Sequence, residues 1–209
     1  MQFEIRNPKL LMITLQDFKD TEALLTGHFR LSSGLHSAQY LQCARLLMWP
    51  RRAEAAGRAL AEKLKEFEVA AVVSPALGGI VIGHETARAL DVPFLFAERP
   101  DGTFRLRRGF RLGPAAPVAV VEDVFTTGKS TREVVDLCRH SGARVAVAAS
   151  IVDRGMPPGA LPVPSRSLLS LEVPAWAESE CPLCREGKPL DSPGSRHGAG
   201  LGTRDSGLG

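Results

Sequence analysis

The sequence has no apolar run approaching the eighteen or so residues that a membrane-spanning helix needs. Residues 1–15 carry Glu4, Arg6 and Lys9 and lack the apolar core of a cleavable signal peptide. Cysteine is sparse: Cys43, Cys138, Cys181 and Cys184 are scattered without the look of a secreted disulfide framework. These absences argue against an apolar membrane-spanning helix and point to a reducing cytoplasm. Charge of one sign is also scarce. A formal net charge of +3 is too small to argue for a nucleic-acid partner. What remains is 209 residues with 44% hydrophobic content, enough for one α/β domain with a good core.

The most informative stretch is residues 117–133, PVAVVEDVFTTGKSTRE. The apolar β-formers Val118-Ala119-Val120-Val121 end in two adjacent carboxylates, Glu122 and Asp123. A loop of small and hydroxyl residues follows, Thr126-Thr127-Gly128-Lys129-Ser130-Thr131. The period then turns helical, with Val134, Val135, Leu137 and Cys138 on one side. Strand, loop and helix in this order leave backbone N–H groups unpaired at a helix start, where the helix dipole makes a seat for phosphate. The hydroxyls of Thr126, Thr127, Ser130 and Thr131 and the charge of Lys129 can add to it. Carboxylates at the carboxyl end of the strand can accept the hydroxyls of a sugar. An ordinary buried strand with a helix cap accounts for residues 118–121 but not for the paired acids and polar loop. Gly128-Lys129-Ser130 also looks like the end of a GxxxxGK[ST] loop. That motif would place its first glycine at Asp123, and a carboxylate inside a triphosphate cradle is electrostatically wrong.

A second strand, glycine loop and helix lies upstream. Residues 69–73 form a short buried strand, followed by Ser74-Pro75-Ala76-Leu77-Gly78-Gly79 and a helix over 81–90. The glycines there serve either tight packing or close approach of the backbone to an anion. Residues 98–113 turn basic, with Arg99, Arg105, Arg107, Arg108 and Arg111 against Asp101; no lysine occurs between Lys65 and Lys129. By itself such a run reads as a solvated face.

The run VVEDVFTTGKS resembles the phosphoribosyl pyrophosphate (PRPP) motif of type I phosphoribosyltransferases. The resemblance implies that Glu122 and Asp123 hold the ribose hydroxyls. Thr126, Thr127, Gly128, Lys129 and Ser130 would hold the 5′-phosphate. Lys129 replaces the second glycine of the usual loop, and its side chain either faces solvent or helps hold the phosphate. Ala76, Leu77, Gly78 and Gly79 match the family's pyrophosphate loop. The basic stretch matches a mobile loop that closes on pyrophosphate; Arg99, Arg107 and Arg108 are its candidate cations, since guanidinium binds phosphate oxygens in pairs.

Three further features resemble the orotate branch of that family. Gly27-His28-Phe29, Leu31-Ser32-Ser33-Gly34 and His36-Ser37 are similar to its N-terminal hood, in which Ser32 and Tyr40 face the base. Tyr40 either stacks on a flat base or is simply half-buried. Asp153-Arg154 ends a strand over 144–152; the resemblance gives Arg154 to the orotate carboxylate, and without it the pair is a surface ion pair. Cys181-Pro182-Leu183-Cys184 is half a zinc site, with Cys43, Cys138 and His197 as candidates for the rest. It also resembles the branch's C-terminus and is read here as family signature, with no structural metal.

The expected fold is therefore α/β of the type I phosphoribosyltransferase kind: a mostly parallel sheet of about five strands flanked by helices, with a small hood mainly from 27–45. Residues 15–25 read as an amphipathic helix stopped by Gly27, 51–67 as an Ala-rich helix, 93–97 as a strand and 167–173 as a last edge strand. Residues 1–190 are expected to form one domain and 191–209 a disordered tail. The implied reaction joins orotate to PRPP with Mg2+ held by substrate and water rather than by protein. A homodimer is implied by the family alone. A purine phosphoribosyltransferase and a non-catalytic PRPP-sensing regulator share the same central motif and stay open as alternatives.

Overall fold

The computed structural model describes residues 12–31 and 33–193. Ser32, His197 and positions 194–209 of the expected tail lie outside the described residues. In chain order the elements begin with α1 (Leu15–Asp20), β1 (Leu24–Arg30), β2 (His36–Leu41), α2 (Cys43–Leu47) and α3 (Pro50–Leu64). There follow β3 (Ala71–Pro75), α4 (Gly79–Leu90), β4 (Phe94–Glu98), β5 (Arg105–Leu106), β6 (Pro117–Phe125) and α5 (Lys129–His140). The chain continues with β7 (Arg144–Asp153), β8 (Ser165–Ser170), β9 (Ala175–Trp176) and α6 (Pro182–Arg185). The backbone gathers into two compact units, one of residues 12–25 with Leu41–Val173, the other of Thr26–Tyr40 with residues 174–193.

The first unit is built on a six-stranded sheet ordered β5-β4-β3-β6-β7-β8. All neighbours are parallel except β5, which runs antiparallel to β4. Side chains alternate across a strand, so β3 and β6 feed two cores. Val72, Ala119 and Val121 pack on one face with Leu60 and Ile82 from α3 and α4. Val73, Val118 and Val120 pack on the other with Val134 and Cys138 of α5. Burial on both faces explains why these strands read as unbroken Val and Ala runs. Strand order reverses between β3 and β6: the chain goes from β3 outward to β4, then returns to the far side of β3 as β6. Open α/β sheets bind ligands at such a switch point, outside the carboxyl ends of the strands.

The second unit carries a three-stranded sheet, β1-β2-β9. His36 and Ser37 pair antiparallel with Trp176 and Ala175, and the Ser37 hydroxyl donates to the Pro174 carbonyl at 2.9 Å. The backbone at Phe29 bridges Asp191, with Arg30 N–H donating to Asp191 O and Asp191 N–H to His28 O, both at 2.8 Å.

Several expectations need correction. The first helix stops at Asp20, where the Thr21 hydroxyl closes the last turn on the Asp17 carbonyl at 2.7 Å. Ala23 and Leu24 are buried, but they enter a strand that runs through Gly27 rather than stopping there. The main sheet has six strands because β5, two residues long, adds an antiparallel edge. Another two-residue strand, β9, follows the strand expected to be last. Neither is long enough to show a period. Asp191, the first residue of the expected tail, is held by the bridge to Phe29.

Candidate active site

At the switch point, β3 and β6 lie side by side, with Val73 opposite Val120, and each strand leads through a short loop into a helix. The loop after β3 holds Ala76, Leu77 and Gly78, and α4 starts at Gly79. Leu77 is 83% exposed and the Ala76–Leu77 peptide is cis. The loop after β6 holds Thr126, Thr127 and Gly128, and α5 starts at Lys129. Gly128 adopts φ +74°, a left-handed conformation that lets the chain turn sharply into the helix. The first intrahelical bond runs from Arg132 N–H to Gly128 O at 2.8 Å, so the N–H groups of Ser130 and Thr131 precede it. Lys129 N–H bonds the Thr127 hydroxyl at 3.3 Å. Thr126, Thr127 and Lys129 are exposed and Ser130 is half-buried, so the loop is accessible.

The acid pair sits between these two loops. A Cβ on Gly78 would lie 2.9 Å from both carboxylate oxygens of Asp123, so only glycine lets the first loop approach this closely. Asp123 Oδ1 accepts the Val124 N–H at 3.0 Å. Glu122 accepts a hydrogen bond from the buried Thr131 hydroxyl. Thr131 therefore serves the acid, not the phosphate seat. Burial pushes both carboxyl groups above their ordinary values. Glu122 reaches about 7, with burial the largest cause, the Thr131 bond opposing it, Asp123 adding to it and Arg99 opposing it. For Asp123 burial again leads, opposed by backbone hydrogen bonds.

The other expected residues are placed as follows. Arg99 pairs with Glu133 at 2.5 Å and lies 4.1 Å over the Phe104 ring. Arg108 is held by Glu98 through two hydrogen bonds of 2.9 and 3.1 Å. Arg107 is exposed and makes no ion pair among the described residues. The sequence offered no sign that Glu133 and Glu98 occupy the other two. Arg154 follows β7 directly and its N–H donates to the Phe125 carbonyl at 2.9 Å, which sets it beside Thr126. Cys43, at the start of α2, points its thiol at the Asp123 carbonyl, 3.9 Å away. Burial, then Asp123, raises that thiol well above its ordinary value, while Arg154 lowers it. Tyr40 belongs to the second unit, half-buried with its ring centroid 5.8 Å from that of Phe29.

Two helix-opening loops flank a carboxylate pair at the switch point, and comparison with known proteins is decisive about the lineage. No protein-family model matches the chain. It is 48% identical over 182 residues to the orotate phosphoribosyltransferase of Caldicellulosiruptor bescii, covering 87% of this chain and 96% of that protein. The chain belongs to the orotate phosphoribosyltransferase family. The relative from Erythrobacter litoralis, of the same name, is 50% identical over 185 residues, covering 87% of this chain and 96% of that one. The crystal structure of orotate phosphoribosyltransferase from Aeropyrum pernix is 29% identical and superposes with a TM-score of 0.63, over 75% of this chain and 93% of that one. The fold is accordingly that of the type I phosphoribosyltransferases, as the central motif implied.

The raised Glu122 value has a consequence for stability. A carboxyl whose folded-state value lies above its ordinary 4.5 favours folding when protonated. That contribution is complete below 4.5 and is lost as pH rises through about 7. From about pH 5 to about pH 8, wild-type unfolding free energy should fall relative to Glu122→Gln, by on the order of 3 kcal/mol at most. Urea titrations of both proteins test this; parallel pH curves would show that Glu122 stays ionised in the free protein.

Proposed function

We propose that this chain transfers the 5-phosphoribosyl group of PRPP to orotate, forming orotidine 5′-monophosphate and pyrophosphate in pyrimidine biosynthesis. The observation that carries the reading is the acid pair wedged between two helix-opening loops at the switch point of the sheet. Family membership points the same way.

In this mechanism the loop from Thr126 to Ser130 binds the 5′-phosphate through helix-start N–H groups and hydroxyls. Binding energy from that remote group positions the reacting carbon. The pyrophosphate lies on the N–H groups after Ala76, Leu77, Gly78 and Gly79. Glu122 and Asp123 accept the ribose hydroxyls and lend negative charge to the oxocarbenium-like carbon as the C1–O bond to pyrophosphate breaks. The ring nitrogen of orotate forms the new bond to C1 and gives up its N–H proton to solvent, as pyrophosphate departs with the pair of the broken C1–O bond.

Half-buried, partly desolvated carboxylates beside two proposed anion seats suit a hard, oxygen-seeking cation carried in by the substrate. Glu122 and Asp123 are the residues that would help hold Mg2+ brought in with PRPP, and the ion would supply neutralisation of the leaving group. The exposed loop cation assigned to the departing pyrophosphate is Arg107, because Glu133 and Glu98 already engage Arg99 and Arg108. Arg154 takes the orotate carboxylate; its position beside Thr126 at the end of β7 supports this. The reading also includes a homodimer and a cytoplasmic setting.

Turnover with PRPP and Mg2+ should occur with orotate and not with uracil, hypoxanthine or adenine offered separately. Turnover of a purine would replace orotate as substrate, and PRPP binding without turnover would make the protein a sensor. Arg154→Ala should raise the KM for orotate roughly 100-fold and leave that for PRPP within a few-fold; equal effects on both would remove it from the base. Arg107→Ala should lower kcat/KM for PRPP by about 100-fold or more, with Arg108→Ala within a few-fold of wild type. The reverse order would transfer the role to Arg108.

A further inference from the structure

We propose that His28, His36, Cys181 and Cys184 form a structural tetrahedral metal site, with Zn2+ as the ion it fits. All four lie in the second unit, and the reaction above uses none of them. Their ligand atoms lie within 4.8 Å of one another. His28 Nε2 is 3.0 Å from His36 Nδ1, 3.5 Å from Cys181 Sγ and 3.6 Å from Cys184 Sγ, and His36 Nδ1 is 3.2 Å from Cys184 Sγ. Bond lengths of about 2.0–2.1 Å to nitrogen and about 2.3 Å to sulfur give a zinc tetrahedron edges of roughly 3.3 Å for N–N and roughly 3.6 Å for N–S. The four atoms are thus already close to the corners such an ion needs.

The surroundings fit as well. His28 Nδ1 lies 2.9 Å from the Lys188 carbonyl, which can only accept, so the ring proton sits on Nδ1 and the Nε2 lone pair faces the cluster. An imidazole fixed through its other nitrogen is the usual outer support of a metal-bound histidine. Hydrogen bonds alone serve the group badly. His36 Nδ1 and the two thiols would all have to turn their protons on the one lone pair of His28 Nε2, which lies 3.0, 3.5 and 3.6 Å from them. One cation satisfies all four donors together.

The cysteines sit on a tight Cys-x-x-Cys knuckle: Pro182 opens the single turn of α6, Arg185 N–H returns to Cys181 O at 3.3 Å and Gly187 N–H to Cys184 O at 3.0 Å. The two histidines come from β1 and β2.

There is also a reason for such a staple. Among the described residues, this unit buries only Phe29, Cys181 and Leu183 as hydrophobic side chains. So small a core does not hold three segments together, and small units of this kind are commonly closed by a metal. Two thiolates and two neutral imidazoles select Zn2+ over Mg2+ and balance its charge. Four protein ligands leave no open position, so the site is structural and not catalytic. Binding displaces the two thiol protons to solvent, and each histidine contributes a lone pair. The partners of Cys181 and Cys184 are thus His28 and His36. Cys43 and Cys138 are buried in the first unit and are not among the four grouped side chains, and His197 lies outside the described residues.

The test uses the full-length protein purified without chelator or affinity metal. Elemental analysis should find about one zinc per chain. Exchange into Co2+ should give the visible bands of a tetrahedral, thiolate-bound ion. Cys184→Ser and His36→Ala should each lose those bands, while Cys138→Ser keeps them. Strong chelation should lower the melting temperature by several degrees, and added Zn2+ should restore it. If a variant fails to fold, the wild-type measurements still decide. Zinc well below one equivalent after growth with added zinc, together with no cobalt spectrum, would overturn the site. So would cobalt bands that persist in both variants.

Discussion

The approach of Gly78 to the Asp123 carboxylate governs the site around it. Two strands of a parallel sheet end side by side, and each must turn into a helix without its loop filling the space between. A side chain on Gly78 would press on both oxygens of Asp123. With glycine there, the acid pair, the loop before α4 and the loop before α5 share one end of the sheet. The rest of the fold supports this. Cores on both faces of β3 and β6 hold the two strands in register, so the loops inherit a fixed separation.

That packing has an electrostatic cost. Glu122 and Asp123 are adjacent and half-buried, and both carboxyl groups are pushed upward by desolvation. A site of this kind is poised to gain from ligands that donate hydrogen bonds or bring positive charge, because either restores what burial removed. In the proposed reaction the ribose hydroxyls would do the first and a substrate-borne cation the second. The positive side chains of the basic stretch lie farther out and are largely engaged: Arg99 with Glu133, Arg105 with Asp101, Arg108 with Glu98. Three arginines of the run that reads in sequence as a block of free charge are ion-paired, and among the described residues Arg107 and Arg111 are the members outside those pairs.

What the sequence disclosed follows from distance along the chain. The motif at 117–133 was legible because strand, acids, loop and helix are contiguous, and its chemistry depends on local geometry. The same holds for residues 74–79. Legibility failed where elements were two residues long, as with β5 and β9, since no period can show in so short a piece. It failed again at α1, where Ala23 and Leu24 extend a helical pattern, yet Ala23 lies in a bend and Leu24 opens a strand. The pairing of Arg99 with Glu133 spans 34 residues and leaves no mark in composition.

The Cys-x-x-Cys pair shows the limit most sharply. His36 and Cys184 are 148 residues apart in the chain, and His28 and Cys181 are 153 apart. The pairing of β2 with β9 and the bridge from Phe29 to Asp191 supply backbone contacts that bring the C-terminal segment back to the N-terminal strands. Those backbone contacts are few, and the side chains they gather are polar rather than apolar. Two imidazoles and two thiols converging in a unit with three buried hydrophobics would be a poor substitute for a core if left to weak sulfur hydrogen bonds. A disulfide across Cys181 and Cys184 would close only the knuckle and leave His28 and His36 where they are. A metal joins all three segments at once, and in reducing surroundings it does so without an oxidant.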